Sequence, residues 1–105
     1  MDTLIKKCEG FLWDEENSEK NWIKHKVIRL ECEEIYFNLP LVISDDIKHS
    51  NIERRLYALG KSKADRFLFI SCTITNNLIR VISGRDMNRK ERMIYEEKIE
   101  ENSKI

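Results

Sequence analysis

The sequence predicts an α+β domain: an antiparallel meander of three to four strands, preceded by two helices and followed by one. Three observations predict it. Helical patterns occupy the first part of the chain, and three β-rich runs separated by compact turns occupy the middle. A capping sequence, Asn88-Arg89-Lys90-Glu91, then opens a charged helical stretch near the end.

The first helix is expected from Asp14 to His25. Asp14 is a good N-cap, Glu15, Glu16 and Glu19 follow it, and Lys20, Lys24, His25 and Lys26 gather at the far end, where the helix dipole favours cations. Trp22 and Ile23 are its expected apolar contribution. A second helix is expected from Leu30 to Asn38, ending before Pro40. Leu39 to Ile43 reads as a connector or short edge strand, because proline is poorly tolerated in a central strand. Asp45-Asp46 and His49-Ser50-Asn51 mark a polar loop. The meander follows: Arg55 to Leu59 up to Gly60, then Arg66 to Thr75, then Leu78 to Ser83. Asn76-Asn77 forms the tight turn, since asparagine tolerates the positive φ that such hairpins require. The pattern extends the sheet with an edge strand at Leu41 to Ser44 or Phe11 to Trp13. The last helix runs from Asn88 to Glu101, and Asn102 to Ile105 is a frayed tail. The whole chain, 1–105, is one domain with residues 1–10 as an N-terminal extension.

Composition narrows the functional classes. Gly (3) and Pro (1) are scarce, which excludes collagen-like, linker-like and low-complexity chains. Apolar runs such as Phe67 to Ile70 are far short of the roughly 20 residues of a membrane span. Asp2, Lys6, Lys7 and Glu9 crowd the N-terminal residues, so no signal peptide is expected and a cytoplasmic location is. Cys8, Cys32 and Cys72 are odd in number without a CxxC pair, which argues against a disulfide framework or zinc site. Cys32 and Cys72 read as small core residues.

The zero net charge conceals a segregation. Residues 1–47 carry six basic and eleven acidic side chains, residues 48–92 eleven and four, and residues 93–105 two and four. The middle block has the electrostatics of a polyanion binder.

Within that block Arg80 is the most informative residue. Strict alternation over Leu78 to Ser83 places Leu78, Arg80 and Ile82 on one face and Ile79, Val81 and Ser83 on the other. A guanidinium among apolar neighbours must pair with a carboxylate, Glu53 or Asp86, or face a concavity that accepts an anion. Arg55 opens the first meander strand and Arg85 follows the third, so Arg55, Arg80 and Arg85 can converge on one patch suited to phosphate. Arg54, on the opposite face from Arg55, reads as a solvated charge. The two histidines, His25 and His49, have the pKa for proton transfer; the ordinary readings are a helix-end cation and a surface residue. Tyr95 on the last helix reads first as core packing. No metal-ligating pattern is present, and no metal or cofactor is expected.

The ordered set Phe11-x-Trp13-Asp14-Glu15, Asn21-x-x-Lys24-His25, Glu33-Glu34-Ile35-Tyr36-Phe37-Asn38, Lys48-His49-Ser50 and Arg55-x-Tyr57-x-x-Gly60, followed by Ile79-Arg80-Val81-Ile82-Ser83-x-Arg85-x-Met87 and Arg89-Lys90-Glu91-Arg92-x-x-Tyr95, resembles the BrnT family of bacterial type II toxins. The match spans residues 11–96. The resemblance implies a RelE-like microbial ribonuclease fold and a metal-independent endoribonuclease that halts translation, the 2′-hydroxyl attacking the scissile phosphate. It implies a BrnA-like ribbon-helix-helix antitoxin as partner, with operator DNA bound only through that complex. On that model Arg55, Arg80 and Arg85 are the phosphate and transition-state ligands and His25 the preferred proton-transfer group. His49 and Tyr95 are reserves, and Arg89, Lys90 and Arg92, with His49 and Tyr95, contact RNA.

Two positions depart from the family pattern. Lys26 stands where many relatives have glycine, so the helix ending is expected to differ. Ser83-Gly84-Arg85 replaces the commoner Ser-Ala-Arg, which is expected to loosen the approach to Arg85. The competing readings are a non-catalytic RNA-binding or co-repressor module, and an interaction domain in which Arg80 only pairs internally.

Overall fold

A computed structural model describes the backbone of residues 3–49 and 53–103 and the side chains of residues 5–48 and 53–101. Within the extension, a single helical turn, α1 (Thr3–Lys6), leads into the short strand β1 (Gly10–Leu12). Two helices follow, α2 (Glu15–His25) and α3 (Arg29–Glu34), the latter prolonged by a 3-10 turn at Ile35–Phe37. The strands β2 (Val42–Asp45), β3 (Arg55–Lys61), β4 (Phe67–Thr75) and β5 (Leu78–Asp86) come next, and α4 (Arg89–Ser103) closes the described chain.

The strands form one sheet in the order β1-β5-β4-β3-β2. The expected meander is its antiparallel centre, and both candidate edge strands join it. The sheet is therefore five-stranded and mixed rather than purely antiparallel, because β1 lies parallel to β5. A parallel pair needs a long crossover, and the run of α2 and α3 between β1 and the meander supplies it. The hairpin at Asn76 and Asn77 has φ of 51° and 62°, as its asparagines predict.

The helices α2 and α3 cover one face. Val27, Cys32 and Ile35 pack there on Leu56, Ala58, Leu68, Ile70, Cys72, Ile79 and Val81, all buried. Cys32 and Cys72 are core residues, and burial pushes their thiols up to about 12 and about 11. Asp14 caps α2 as expected, its carboxylate accepting from the Glu16 N–H at 2.9 Å. Trp22 and Ile23 do not anchor the helix; they are 50% and 64% exposed. The buried residue of α2 is Asn21, whose Oδ1 accepts from the Gly84 N–H at 3.1 Å. The three residues of β1 pair only with Leu78, Ile79 and Arg80. Further along β5 an outward N–H has no strand partner, and Asn21 supplies the acceptor that a buried donor requires.

Lys26 ends α2 in the left-handed conformation, φ 56° and ψ 41°, with its N–H directed to the Asn21 and Trp22 carbonyls. The expected change of ending does not occur: lysine adopts the cap that glycine usually provides, at a cost of about 1 kcal/mol. The expected loosening at Gly84 does not occur either. A Cβ there would fall 2.8 Å from Ile70 Cδ1 and 2.9 Å from Cys32 Sγ, so side chains of the core already fill that space.

The other face carries α4 over one end. Its capping box forms, with the Glu91 N–H donating to Asn88 Oδ1 and the Asn88 N–H donating to Glu91 Oε1 at 2.8 and 2.9 Å. Tyr95 is fully buried beneath it against Phe67, with Leu59 and Met87 in the same cluster. Among the described residues, no helix is long and apolar enough to cross a membrane.

Candidate functional site

The rest of the second face is where the arginines stand, and the strand register decides which of them share it. Directly paired residues in a sheet project to the same side. Thr73 pairs with Arg55 on β3 and with Arg80 on β5, so Arg55, Thr73 and Arg80 form one row across three strands. The next row is Tyr57, Ser71 and Ser83, and the next Leu59, Phe69 and Arg85.

Strict alternation does not lead to this arrangement. Cys72 pairs with Val81 but Ser71 with Ser83, which leaves Ile82 as an extra residue in β5. The bulge inverts the alternation beyond it. Ser83 thus sits on the Arg80 face, opposite to the expectation, and so does Arg85. Gly84 and Asp86 turn towards the helices.

The row positions give the arginines different surroundings. Arg80 lies 3.5 Å from Glu53 Oε1, with one third of its side chain and half of the glutamate's exposed. One carboxylate foreseen for Arg80 is therefore present, but as a partly solvated contact rather than a buried pair. Asp86 is engaged elsewhere, by Arg66. Arg85 is tightly held: Nη1 and Nη2 donate to Glu91 at 2.8 and 2.9 Å, Nη1 also donates to the Asp86 carbonyl, and the guanidinium lies 4.1 Å from the Phe69 ring centre. It joins α4 to the sheet, two rows and roughly 14 Å along the strand from Arg80. The structure brings Arg55 and Arg80 together and sets Arg85 apart from them.

His25 is on the wrong side for these arginines. Its helix packs on the covered face through Asn21 and Gly84, and its carbonyl accepts from Arg66 Nη2 at 3.1 Å. The parity of the sheet therefore separates it from Arg55 and Arg80. Tyr95 is likewise a core residue, its hydroxyl donating to the Pro40 carbonyl at 2.6 Å; burial pushes its pKa up to about 12. His49 ends a 3-10 turn, Ile47–His49, in the connection from β2 to β3, and its side chain lies outside the described residues, as do Ser50 and Asn51 of the expected polar loop. The described residues of that connection, 46–49 and 53–54, flank the Arg55 end of the sheet, where the Asp46 N–H donates to the Arg55 carbonyl, and Glu53 reaches Arg80 two strands away. Arg89, Lys90 and Arg92 are exposed on the first turns of α4, with Arg92 5.0 Å from the Phe67 ring centre.

Sequence reasoning missed Arg66. Its guanidinium donates to Asp86, to Glu31 and to the His25 and Lys26 carbonyls, so it ties the end of α2 to α3 and β5. No local pattern marks this role, because its partners come from three separate segments. Thr73 was missed as well. Its Oγ1 is buried between two arginine positions with no hydrogen-bond partner among the described residues. Among those residues no group of three His, Cys, Asp or Glu is arranged to hold a metal ion.

The chain is thus an α+β domain whose mixed sheet is covered by α2 and α3 on one face and carries α4 and the Arg55–Thr73–Arg80 row on the other. Residues 13–91 match the family described as "Ribonuclease toxin, BrnT, of type II toxin-antitoxin system", and the chain belongs to that family. The fold is similar to that of the Brucella abortus ribonuclease toxin BrnT, known from a 1.1 Å crystal structure, with a TM-score of 0.58 and 22% identity over 76% of this chain and 97% of that one. No curated protein sequence matches. Membership of a type II system implies an RNA substrate and an antitoxin partner.

Proposed function

We propose that this BrnT-family toxin cleaves RNA, chiefly mRNA, by attack of a 2′-hydroxyl on the adjacent phosphate, and so halts translation in the cytoplasm. The row Arg55–Thr73–Arg80 carries this reading. The two arginines start about 10 Å apart, two strand spacings, a gap that two such side chains can close around one phosphate. Their forks match phosphate oxygens and oppose the negative charge that grows on the pentacoordinate transition state. Movement of the two arginine side chains onto the phosphate would uncover the buried Thr73 hydroxyl between them and give it a phosphate oxygen as partner.

Glu53 is the anion that Arg80 meets in the absence of substrate, and a scissile phosphate takes its place. Proton transfer falls to the connection 46–54, with His49 as the candidate and Glu53 as the second. Arg85 acts indirectly, by fixing α4, and Arg89, Lys90 and Arg92 bind flanking phosphates. The mechanism requires no metal, because the arginines provide the positive charge. The antitoxin is a BrnA-like ribbon-helix-helix protein, and operator DNA is bound only through the complex.

The Glu53–Arg80 contact also favours a second reading, a co-repressor module whose arginines are engaged internally. Induction of the toxin alone in growing cells separates the two. Growth arrest with cleaved RNA, abolished by Arg80→Ala in folded protein, is expected; normal growth with intact RNA and folded wild-type toxin would overturn the nuclease reading.

A further inference from the structure

We infer that the cavity between the first turns of α4 and the open face of the sheet binds one nucleobase of the RNA, beside the scissile phosphate, and thereby sets where the toxin cuts. This rests on the proposed nuclease reading and deepens it.

The cavity is about 320 Å³. Tyr57 and Phe69 line it and stack on each other, with ring centres 5.4 Å apart and planes 22° apart. The guanidinium of Arg85 lies on Phe69 and is fixed by Glu91, so one side of the stack is held rigid. Ile94 closes an apolar wall, while Ser44, Asn88 and the Asp46 carboxylate add hydrogen-bonding groups; the other acidic residue of the lining, Glu91, is neutralised by Arg85. An aromatic surface with a polar rim is what a nucleobase needs: a face to stack on and partners for its edge.

Position ties this cavity to the arginines. Tyr57 follows Arg55 by two residues on the same strand and face, about 7 Å along it. A phosphate on the Arg55–Arg80 row therefore has its neighbouring base within reach of Tyr57. Lys90, also lining the cavity, places a positive charge where the strand would leave it. A peptide segment of the antitoxin is the other class of occupant. The continuity with the arginine row and the mixed polar lining favour RNA.

The test maps cut sites of purified toxin on an RNA of randomised sequence, for wild type, Tyr57→Leu, Tyr57→Phe and Ser44→Trp. Wild type should show a base preference at one position flanking the cut. Tyr57→Leu should lose that preference and cleave about 5- to 100-fold more slowly, the measure of one lost base stack. Tyr57→Phe, which keeps the stack, should retain it. Ser44→Trp, which fills the cavity from an edge strand, should lose it and serves if Tyr57→Leu does not fold. An unchanged preference in both Tyr57→Leu and Ser44→Trp overturns the inference and leaves the nuclease reading intact. So does a loss of antitoxin binding with an unchanged cut pattern, which would assign the cavity to protein. Absence of cleavage by folded wild type would overturn both.

Discussion

Arg66 Nε and Nη2 donate to the two carboxylate oxygens of Asp86 at 2.8 and 3.1 Å, and the same guanidinium reaches the last carbonyls of α2. Three elements of the covered face thus depend on one side chain that is only one quarter exposed. Arg66→Ala leaves Asp86, Glu31 and two helix-end carbonyls without this partner. It should cost about 2–3 kcal/mol, measured by urea unfolding.

Acid should weaken the same contacts. The Arg66 hydrogen bonds hold the Asp86 carboxyl below the usual carboxylate range, against the opposing effect of burial. For Glu91 burial acts upward, but hydrogen bonds from Arg85 and the Asn88 N–H outweigh it and lower the pKa. A carboxyl whose pKa is lower in the folded state adds stability at neutral pH. That stability is complete above the unfolded value of about 4 and disappears as the pH falls through the folded value. The melting temperature should therefore fall below about pH 4, and Arg66→Ala and Arg85→Ala should each flatten that acid limb. An identical acid limb in both variants would contradict this account.

Lys26→Gly should stabilise the protein by about 1 kcal/mol, because it removes the strain of a left-handed lysine at the end of α2. A thermal melt that does not rise would mean that the Lys26 ammonium, 5.2 Å from the Trp22 ring centre, offsets that strain.

The two tightly packed glycines should respond differently to alanine. At Gly60 a Cβ meets Ile35 Cβ at 2.7 Å and the Ile35 carbonyl oxygen at 3.3 Å, atoms that move only with the backbone. At Gly84 it meets the ends of two side chains. Gly60→Ala should cost about 3 kcal/mol and Gly84→Ala about 1. Adding Cys32→Ala to Gly84→Ala should relieve the remaining clash, so a double-mutant cycle should show favourable coupling.

On the open face, Arg55→Ala or Arg80→Ala should lower RNA cleavage by about 100-fold or more, the usual effect of removing a transition-state donor. His49→Ala should reduce cleavage, whereas His25→Ala should leave it near wild type. The opposite order would show that the proton comes from the covered face. Thr73→Val should stabilise the fold, because it removes an unmet buried hydroxyl, while it slows cleavage.

Much of this was legible in single segments. The Asp14 cap, the Asn88-to-Glu91 capping box, the Asn76-Asn77 hairpin and the two core cysteines are decided by neighbours a few residues away, and local patterns register such neighbours well. Arg55 and Arg80 also stood out, as charges set in strand patterns. The helix-anchoring role of Trp22 and Ile23 did not hold, because α2 docks through the Asn21 amide, and no periodicity reveals a hydrogen bond to Gly84. His25 was out of reach for a similar reason, since its place beside Lys24 says nothing about which face of the sheet its helix covers.

By itself, then, the sequence determined the secondary structure of the centre, the charge segregation and the family. Only the tertiary structure decided the parallel edge strand β1, the bulge at Ile82, and hence which residues share the open face. The physical reason is the period of two in a strand: one unpaired residue in β5 moves Ser83 to the Arg80 face and turns Gly84 to the helices, and that extra residue is visible only once β5 is paired with β4.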